Sequence, residues 1–208
     1  MNKIGIVFDS RIKVGGGHLW RCFNLAKILK NKMNKFFFIS NFLDSHFIKI
    51  LKKENFNYIK VNSLKKISNI NNIVKKYKLD VLVTDYYDFN EKDKKEIKKK
   101  IKCLIVIDDN IYKKNYCDLF INSNFMTNKT KKIIRDLNPK SKLLLGPKYF
   151  ISSIKFPRVQ KKVFKGNQLK NIFAFFGSSD PTNETLKFIK AIEDFKKIKF
   201  NILIGKIN

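Results

Sequence analysis

Short apolar runs alternate with longer amphipathic segments along the first 145 residues of the chain. The apolar runs end at polar or glycine-containing turns, which is typical of buried strands, and the segments between them repeat their apolar positions with helical spacing. The predicted strands are Lys3–Phe8, Phe36–Ser40, Tyr58–Val61, Val81–Thr84, Cys103–Ile107, Leu119–Asn122 and Lys142–Leu145. The predicted helices are His18–Lys32, Leu43–Glu54, Leu64–Lys78, Glu91–Lys100 and Lys129–Leu137.

This alternation predicts an α/β fold, in which a parallel sheet of the Rossmann type is covered by helices on both faces. Right-handed crossovers bring the carboxyl ends of all the strands to one edge, where such folds bind ligands. The polar segments expected at that edge are Gly15–His18, Asp85–Asp88, Asp108–Asn110 and Asn122–Asn124.

The rhythm of strands and helices breaks after residue 146 and resumes near residue 170. We predict an N-terminal domain at 1–150, an inter-domain crossing at 151–168, and the start of a second Rossmann-type domain at 169–208. The elements predicted in this last part are a strand at Asn171–Phe176, a helix at Pro181–Lys197 and a strand at Phe200–Ile204. Because about 40 residues rarely form a stable domain alone, we expect this second domain to be incomplete and the chain to be C-terminally truncated.

The charge of the chain is +28, from 45 basic and 17 acidic residues among 208. Such a charge favours binding to nucleic acid, since cations neutralise phosphates. Only four of the 45 cations are arginine, however, and the lysines are spread over every predicted helix. Arginine makes most bidentate contacts to bases and phosphates. We therefore expect solvated helix faces and no specific nucleic-acid partner.

The three cysteines, Cys22, Cys103 and Cys117, have no Cys-x-x-Cys spacing. An odd and sparse set argues against a disulfide framework or a zinc site and is typical of a reducing compartment. The chain has no apolar stretch near the ~18 residues of a membrane span and no signal-peptide core at its start. We expect a cytoplasmic protein without a metal or cofactor; its oligomeric state is left open.

The glycine run Gly15-Gly16-Gly17 precedes His18 between a strand and a helix. Glycines allow a backbone to approach a ligand, and the start of a helix offers free N–H groups to a diphosphate. The spacing is not the G-x-G-x-x-G of dinucleotide-binding proteins. His18 is then a candidate general base, which the positive end of the helix should keep neutral near pH 7. The alternative is a histidine that only caps the helix.

Two further segments carry candidate ligand-binding residues. Tyr86 and Tyr87 follow the fourth predicted strand and place a phenol at the ligand edge, where it could orient a water molecule or a sugar hydroxyl, although a structural aromatic on a loop is an alternative. The turn at 178–183 is compatible with a phosphate, although Asp180 could instead cap the next helix. Asp108 and Asp109 are adjacent, so their side chains should diverge, and no metal site is expected from them.

Six motifs in the same order resemble those of the PseG-type nucleotide-sugar hydrolases, the UDP-2,4-diacetamido-2,4,6-trideoxy-β-L-altropyranose hydrolases of pseudaminic acid biosynthesis, which are related to MurG-like glycosyltransferases. Together they span essentially the whole chain. The motifs are G-G-G-H-L-W-R-C at 15–22, D-Y-Y at 85–87, I-D-D at 107–109, C-D-L-F-I-N-S-N at 117–124, G-P-K-Y at 146–149 and G-S-S-D-P-T-N at 177–183.

The resemblance implies a GT-B-like fold, with a UDP-sugar held between two Rossmann-type domains. It also implies metal-independent, inverting hydrolysis at the anomeric carbon, with His18 as general base and Tyr87 as an active-site tyrosine. The residues expected to bind substrate are Gly15, Gly16, Gly17, Arg21, Tyr87, Asn122, Asn124, Gly177, Ser178, Ser179, Asp180 and Asn183. Three alternatives stay open: a sugar-nucleotide glycosyltransferase of the same fold, an inactive truncated remnant, and a non-enzymatic polyanion binder.

Overall fold

The computed structural model describes residues 2–11, 16–154, 169–177 and 180–205. The chain divides into two compact units. One comprises Met1–Ser10 and His18–Ser153, and the other comprises Arg11–Gly17 and Ile154–Asn208. The predicted domain boundary at residue 150 stays a prediction. Most of the predicted crossing at 151–168 lies outside the described residues.

The first unit is built on a seven-stranded sheet in which every neighbouring pair is parallel. Its strands are β1 (Asn2–Phe8), β2 (Asn34–Ser40), β3 (Asn57–Lys60), β4 (Val81–Asp85), β5 (Cys103–Ile107), β6 (Leu119–Asn122) and β7 (Lys142–Leu145). They lie in the order β3-β2-β1-β4-β5-β6-β7. The sequence-based prediction of a parallel Rossmann-type sheet is confirmed.

Five helices cover the sheet, and their buried residues fall into two separate cores. The helices are α1 (Gly17–Leu29), α2 (Ser45–Lys53), α3 (Ile67–Tyr77), α4 (Glu91–Lys98) and α5 (Asn128–Leu137). Apolar residues of α1 and α2 contribute to the core on one face, and those of α3, α4 and α5 to the core on the other. Since both faces of each central strand are buried, those strands consist of continuous apolar runs.

A glycine in β1 is required by the tight packing on one face of this sheet. A Cβ atom at Gly5 would lie 2.6 Å from Leu79 Cδ1, 2.7 Å from Leu82 Cδ1 and 3.3 Å from Ile39 Cδ1. These distances are shorter than van der Waals contact, so the leucine ends occupy the space that a larger side chain would need.

The second unit contains a parallel pair of strands, β8 (Asn171–Phe175) and β9 (Lys199–Leu203), joined through helix α6 (Glu184–Ala191). Phe188 of α6 packs against Phe200, with ring centroids 5.9 Å apart. The helix predicted at Pro181–Lys197 is shorter at both ends. At its C-terminus, the Ile192 N–H is shared between the carbonyl oxygens of Phe188 and Ile189, and the chain continues in tight turns.

None of the helices among the described residues has the length and apolar character needed to cross a membrane. Within those same residues, no group of three or more His, Cys, Asp or Glu side chains is arranged to hold a metal ion.

Candidate active site

The strands β1 and β4 are neighbours in the middle of the sheet, although they are far apart in sequence. The strand order reverses direction at this point, and ligands of open α/β sheets bind at such switch points, outside the carboxyl ends of the strands. Phe8 at the end of β1 pairs in register with Asp85 at the end of β4. His18 follows β1 as the second residue of α1, so it comes to the end of β4 as well.

His18 and Asp85 form a buried pair at this switch point. His18 Nδ1 lies 2.6 Å from Asp85 Oδ1 and 3.1 Å from the main-chain oxygen of the same residue. Asp85 is 0% exposed and His18 is 8% exposed. Because both partners of Nδ1 are acceptors, Nδ1 carries the hydrogen, and in the neutral imidazole Nε2 is then the unprotonated nitrogen. Within the described part of the chain, Nε2 has no hydrogen-bond partner.

The pKa of His18 is raised above its ordinary value. Burial lowers this pKa and is the largest single influence, but the hydrogen bond to Asp85 and the negative charge of Asp85 together outweigh it. The expectation that the helix end keeps the imidazole neutral is therefore wrong in direction. That expectation rested on the helix dipole alone, whereas the fold also brings the carboxylate of Asp85 to His18 Nδ1.

Arg21 lies one turn after His18 on α1 and braces the same carboxylate. Its Nε donates to Asp85 Oδ2 at 2.8 Å and its Nη2 to Asp85 Oδ1 at 2.7 Å, which is a bidentate arrangement. Nη2 also donates to the Tyr87 hydroxyl at 3.1 Å, and Nη1 to Asp109 Oδ2 at 3.4 Å. All three guanidinium nitrogens are thus engaged within the protein. Arg21, predicted to bind substrate, is placed where it orients other side chains.

Tyr87 connects the imidazole to a second carboxylate. Its ring lies edge to face against His18, with centroids 4.7 Å apart. Its hydroxyl donates to Asp109 Oδ2 and accepts from Arg21. Burial raises the pKa of Tyr87, and the bond to Asp109 raises it further, so the phenol keeps its proton. The structure therefore places the predicted tyrosine directly beside the predicted base.

Asn122 and Asn124 follow β6 and differ in exposure. Asn124 Nδ2 donates to Asp109 Oδ1 at 3.2 Å, which brings Asn124 into the group around Tyr87. Asn122 is fully buried, and its Oδ1 accepts from the Asn124 main-chain N–H at 3.1 Å. From this position Asn122 orients Asn124, and its contact with substrate stays a prediction.

A second cluster of charged side chains, Lys94, Asp108 and Lys113, supports the loop that carries Tyr87. Lys113 Nζ donates to the main-chain oxygen of Tyr87 and lies 4.0 Å from Asp108 Oδ2. Lys94 of α4 is fully buried, donates to Asn115 Oδ1, and lies 3.6 Å from Asp108 Oδ2. Burial lowers the pKa of Lys94 to about 8, although the charge of Asp108 partly opposes this. Adjacent Asp108 and Asp109 do diverge, and each belongs to a different cluster.

Of the predicted residues of the second unit, Asp180 and Asn183 lie just before α6. Asp180 accepts from the main-chain N–H of Glu184 at 2.9 Å and of Thr185 at 2.8 Å, so its carboxylate caps the helix. This matches the alternative that we considered for Asp180. Gly177 and Asn183 have φ angles of 93° and 57°, which belong to the left-handed region.

Of the other predicted residues, Gly17 begins α1 and Gly16 precedes it. Three predicted residues lie outside the described part of the chain: Gly15, Ser178 and Ser179.

Asp85 and Asp109, which hold the group together, were not among the predicted site residues. Both occur in the quoted motifs, and both follow apolar runs that become adjacent strands, β4 and β5. An acid at the carboxyl end of each of two central strands was the available signal. The sequence contains no local sign that Asp85 would reach His18, because 67 positions separate them.

Comparison with known proteins identifies the fold first. MurG of Acinetobacter baumannii matches with a TM-score of 0.50 and 10% sequence identity, over 98% of this chain and 66% of the MurG chain. At this identity the likeness concerns the fold alone, an α/β fold of the GT-B type. The GT-B-like fold class expected from the sequence is therefore confirmed.

A relative in sequence is the uncharacterized protein MJ1062 of Methanocaldococcus jannaschii, which is 30% identical over 210 residues. The match covers 98% of this chain and 42% of the relative, so the chain spans less than half the length of that protein. No family model matches the chain.

Proposed function

We propose that the protein hydrolyses a UDP-linked deoxy-diacetamido sugar, with His18 as general base. The reaction would belong to the biosynthesis of nonulosonic acids, such as pseudaminic acid, or of a surface polysaccharide, in the cytoplasm. The UDP-sugar and its place in metabolism are proposed from the motif resemblance. The observation that carries the proposal is the imidazole of His18, whose Nδ1 is held by the buried carboxylate of Asp85 at 2.6 Å.

The arrangement of His18 supports proton abstraction from water. With Nδ1 bonded to Asp85, Nε2 is the nitrogen that can accept a proton, and the carboxylate stabilises the imidazolium that results. The activated water attacks the anomeric carbon, its C–O bond forms, and the bond from that carbon to the diphosphate oxygen breaks. UDP leaves with the bonding electron pair, the sugar is released with inverted configuration, and the proton on Nε2 passes to solvent.

The leaving group needs little help from the protein. UDP departs as a stabilised anion, so the site has to position the water and the sugar and to offer N–H groups to the diphosphate. The main-chain N–H groups at the start of α1 are suited to this task, because the first turn of a helix leaves them without intrahelical partners. No metal or cofactor takes part in the proposed reaction.

The experiment incubates the full chain with UDP-2,4-diacetamido-2,4,6-trideoxy-β-L-altropyranose and follows UDP and free sugar by chromatography. We expect His18→Ala to lower kcat by ~10²-fold or more, because general-base catalysis typically contributes this much. His46→Ala is the matched control, since the only other histidine is exposed on α2 and should leave the rate unchanged.

Three results would contradict hydrolysis by His18. The first is an unchanged rate for His18→Ala. The second is release of UDP only after an acceptor is added, which would identify a glycosyltransferase of the same fold. The third is a folded wild-type chain that releases no UDP, as expected of an inactive remnant.

A further inference from the structure

In the described part of the chain, three cations around His18 and Tyr87 bind groups of the protein itself. The guanidinium of Arg21 donates hydrogen bonds to Asp85, Asp109 and Tyr87. Lys94 and Lys113 converge on Asp108 and on main-chain or amide oxygens. Among the described side chains bonded to one another around the base, the carboxylates of Asp85 and Asp109 therefore share the guanidinium of Arg21.

The two carboxylates differ in what they can offer a ligand. The Asp85 side chain is 0% exposed, whereas that of Asp109 is 36% exposed. Asp109 Oδ2 accepts from Tyr87 and Arg21, while Oδ1 accepts only from Asn124 among the described residues. An ionised carboxylate oxygen has two lone pairs and no donor, so Oδ1 can accept one more hydrogen bond.

The carboxylate of Asp109 is also fixed in place and close to the base. Three donors from three different elements hold it, namely Arg21 on α1, Tyr87 after β4 and Asn124 after β6. Tyr87 spans the distance to the base, because its ring contacts His18 and its hydroxyl contacts Asp109. A sugar whose anomeric carbon lies at His18 would present its ring substituents to this carboxylate.

We propose that Asp109 selects the sugar by accepting a hydrogen bond from a hydroxyl or amide N–H group on the ring, and that it repels sugars that carry a carboxylate. The substrate class is thus nucleotide-linked neutral or acylamino sugars, and nucleotide-linked uronic acids are excluded. This inference rests on the proposed function, because it assumes that the site holds a nucleotide sugar.

The discrimination has two physical sources. A ligand that cannot donate a hydrogen bond to Asp109 leaves this carboxylate unpaired once the ligand has displaced water from it. Sites that depend on such a hydrogen bond reject analogues that lack the donor strongly. A second negative charge beside Asp109 adds like-charge repulsion that is less screened than at an open surface. We expect UDP-N-acetylglucosamine to bind at least about tenfold more tightly than UDP-glucuronic acid.

The test measures binding, which does not require turnover. Calorimetric titration of the full chain with UDP, UDP-N-acetylglucosamine and UDP-glucuronic acid gives three dissociation constants for each variant. Asp109→Asn should weaken the binding of UDP-N-acetylglucosamine, strengthen the binding of UDP-glucuronic acid, and leave the dissociation constant of UDP itself unchanged. Asp109→Glu keeps the charge and should retain rejection of the uronic acid. Asp136→Asn, at an exposed position of α5, is the matched control.

The outcomes separate this inference from the proposed hydrolysis. Selective binding that Asp109→Asn abolishes supports the inference even if no UDP is released, and in that case only hydrolysis is contradicted. The inference is overturned if wild type binds both UDP-sugars equally or not at all. It is also overturned if a folded Asp109→Asn variant, with a melting curve like that of wild type, keeps the preference.

Discussion

The charge on the His18 imidazole depends on the buried carboxylate of Asp85. Burial alone would push the proton off the ring, whereas the adjacent carboxylate holds it on and raises the pKa. A general base with a raised pKa is stronger but must first lose its proton. The rate should therefore fall as the pH drops through the His18 pKa, which lies above its ordinary value near 6.5.

Asp85→Asn should move this acidic limb of the kcat profile to lower pH. The amide can still accept from Nδ1, but it carries no charge, and burial then lowers the His18 pKa. The plateau rate should also fall by ~10²-fold to 10⁴-fold, since the imidazolium loses its counter-ion. The pH dependence of UDP release checks this, with Asp136→Asn as control. A limb that stays in place would show that Asp85 does not set the pKa of His18.

The same pair links folding stability to pH. Because the folded pKa of His18 is raised, its contribution is fully present below the unfolded pKa near 6.5 and is lost as the pH rises through the folded pKa. Urea unfolding of wild type and His18→Ala at a series of pH values measures this difference. We expect the wild-type advantage to shrink on going from acid to alkaline pH. An advantage that grows across the same range would contradict the assignment.

At the scale of elements, two packing features stabilise the strands and loops that hold the site. Gly5 in β1 allows Leu79 and Leu82 to close on the strand, and the Lys94–Asp108 pair ties α4 to the end of β5. Periodicity predicted these strands closely, because each is a continuous apolar run. It extended α6 too far, since the turns after Ala191 contain residues that suit a helix equally well.

Gly5→Ala should lower the free energy of unfolding by ~1–3 kcal/mol, because the new methyl group meets two leucine ends closer than 3 Å. Gly17→Ala is the matched control, since a Cβ there meets nothing within 4 Å. Urea denaturation of both variants gives the comparison. Equal stabilities would show that the core around β1 adjusts without cost.

Lys94→Met should destabilise the fold by ~3 kcal/mol at neutral pH, because the buried Asp108 then keeps the more distant Lys113 as its one cationic neighbour among the described residues. The double variant Lys94→Met/Asp108→Asn should recover part of this loss. The pKa of Lys94 is about 8 in the folded chain and ~10.4 when unfolded. The unfolded chain therefore binds more protons between these values, and wild type should gain stability relative to Lys94→Met as the pH rises through them. A double variant that is less stable to urea than Lys94→Met would contradict the role given to the Lys94–Asp108 pair.

For the whole molecule, the fold followed from the sequence more completely than the site did. Alternating strands and helices determine a parallel sheet, and its topology brings the ends of β1 and β4 together. The partners of each side chain at that edge depend on contacts across tens of residues, such as Arg21 with Asp85 and Asp109. No local pattern encodes them, so the predicted list contained His18 and Tyr87 and lacked both carboxylates.

The charge of +28 is a property of the whole surface and should produce only non-specific binding to polyanions. Lysines spread over many faces interact through screened charge, and the Debye length is about 8 Å at physiological salt. Retention on immobilised double-stranded DNA should disappear near ~0.2–0.3 M salt, with no preference for sequence. Sequence-selective retention above that concentration would favour a dedicated nucleic-acid partner.

Water activated by His18 should attack the anomeric carbon of the sugar and not a phosphorus atom of the diphosphate. The most direct measurement is the mass of the UDP released by wild type and by His18→Ala in water enriched in oxygen-18. We expect unlabelled UDP from wild type, because the bond between the sugar carbon and the diphosphate oxygen breaks, and almost no UDP from His18→Ala. UDP that carries oxygen-18, or equal release by the two proteins, would contradict this expectation.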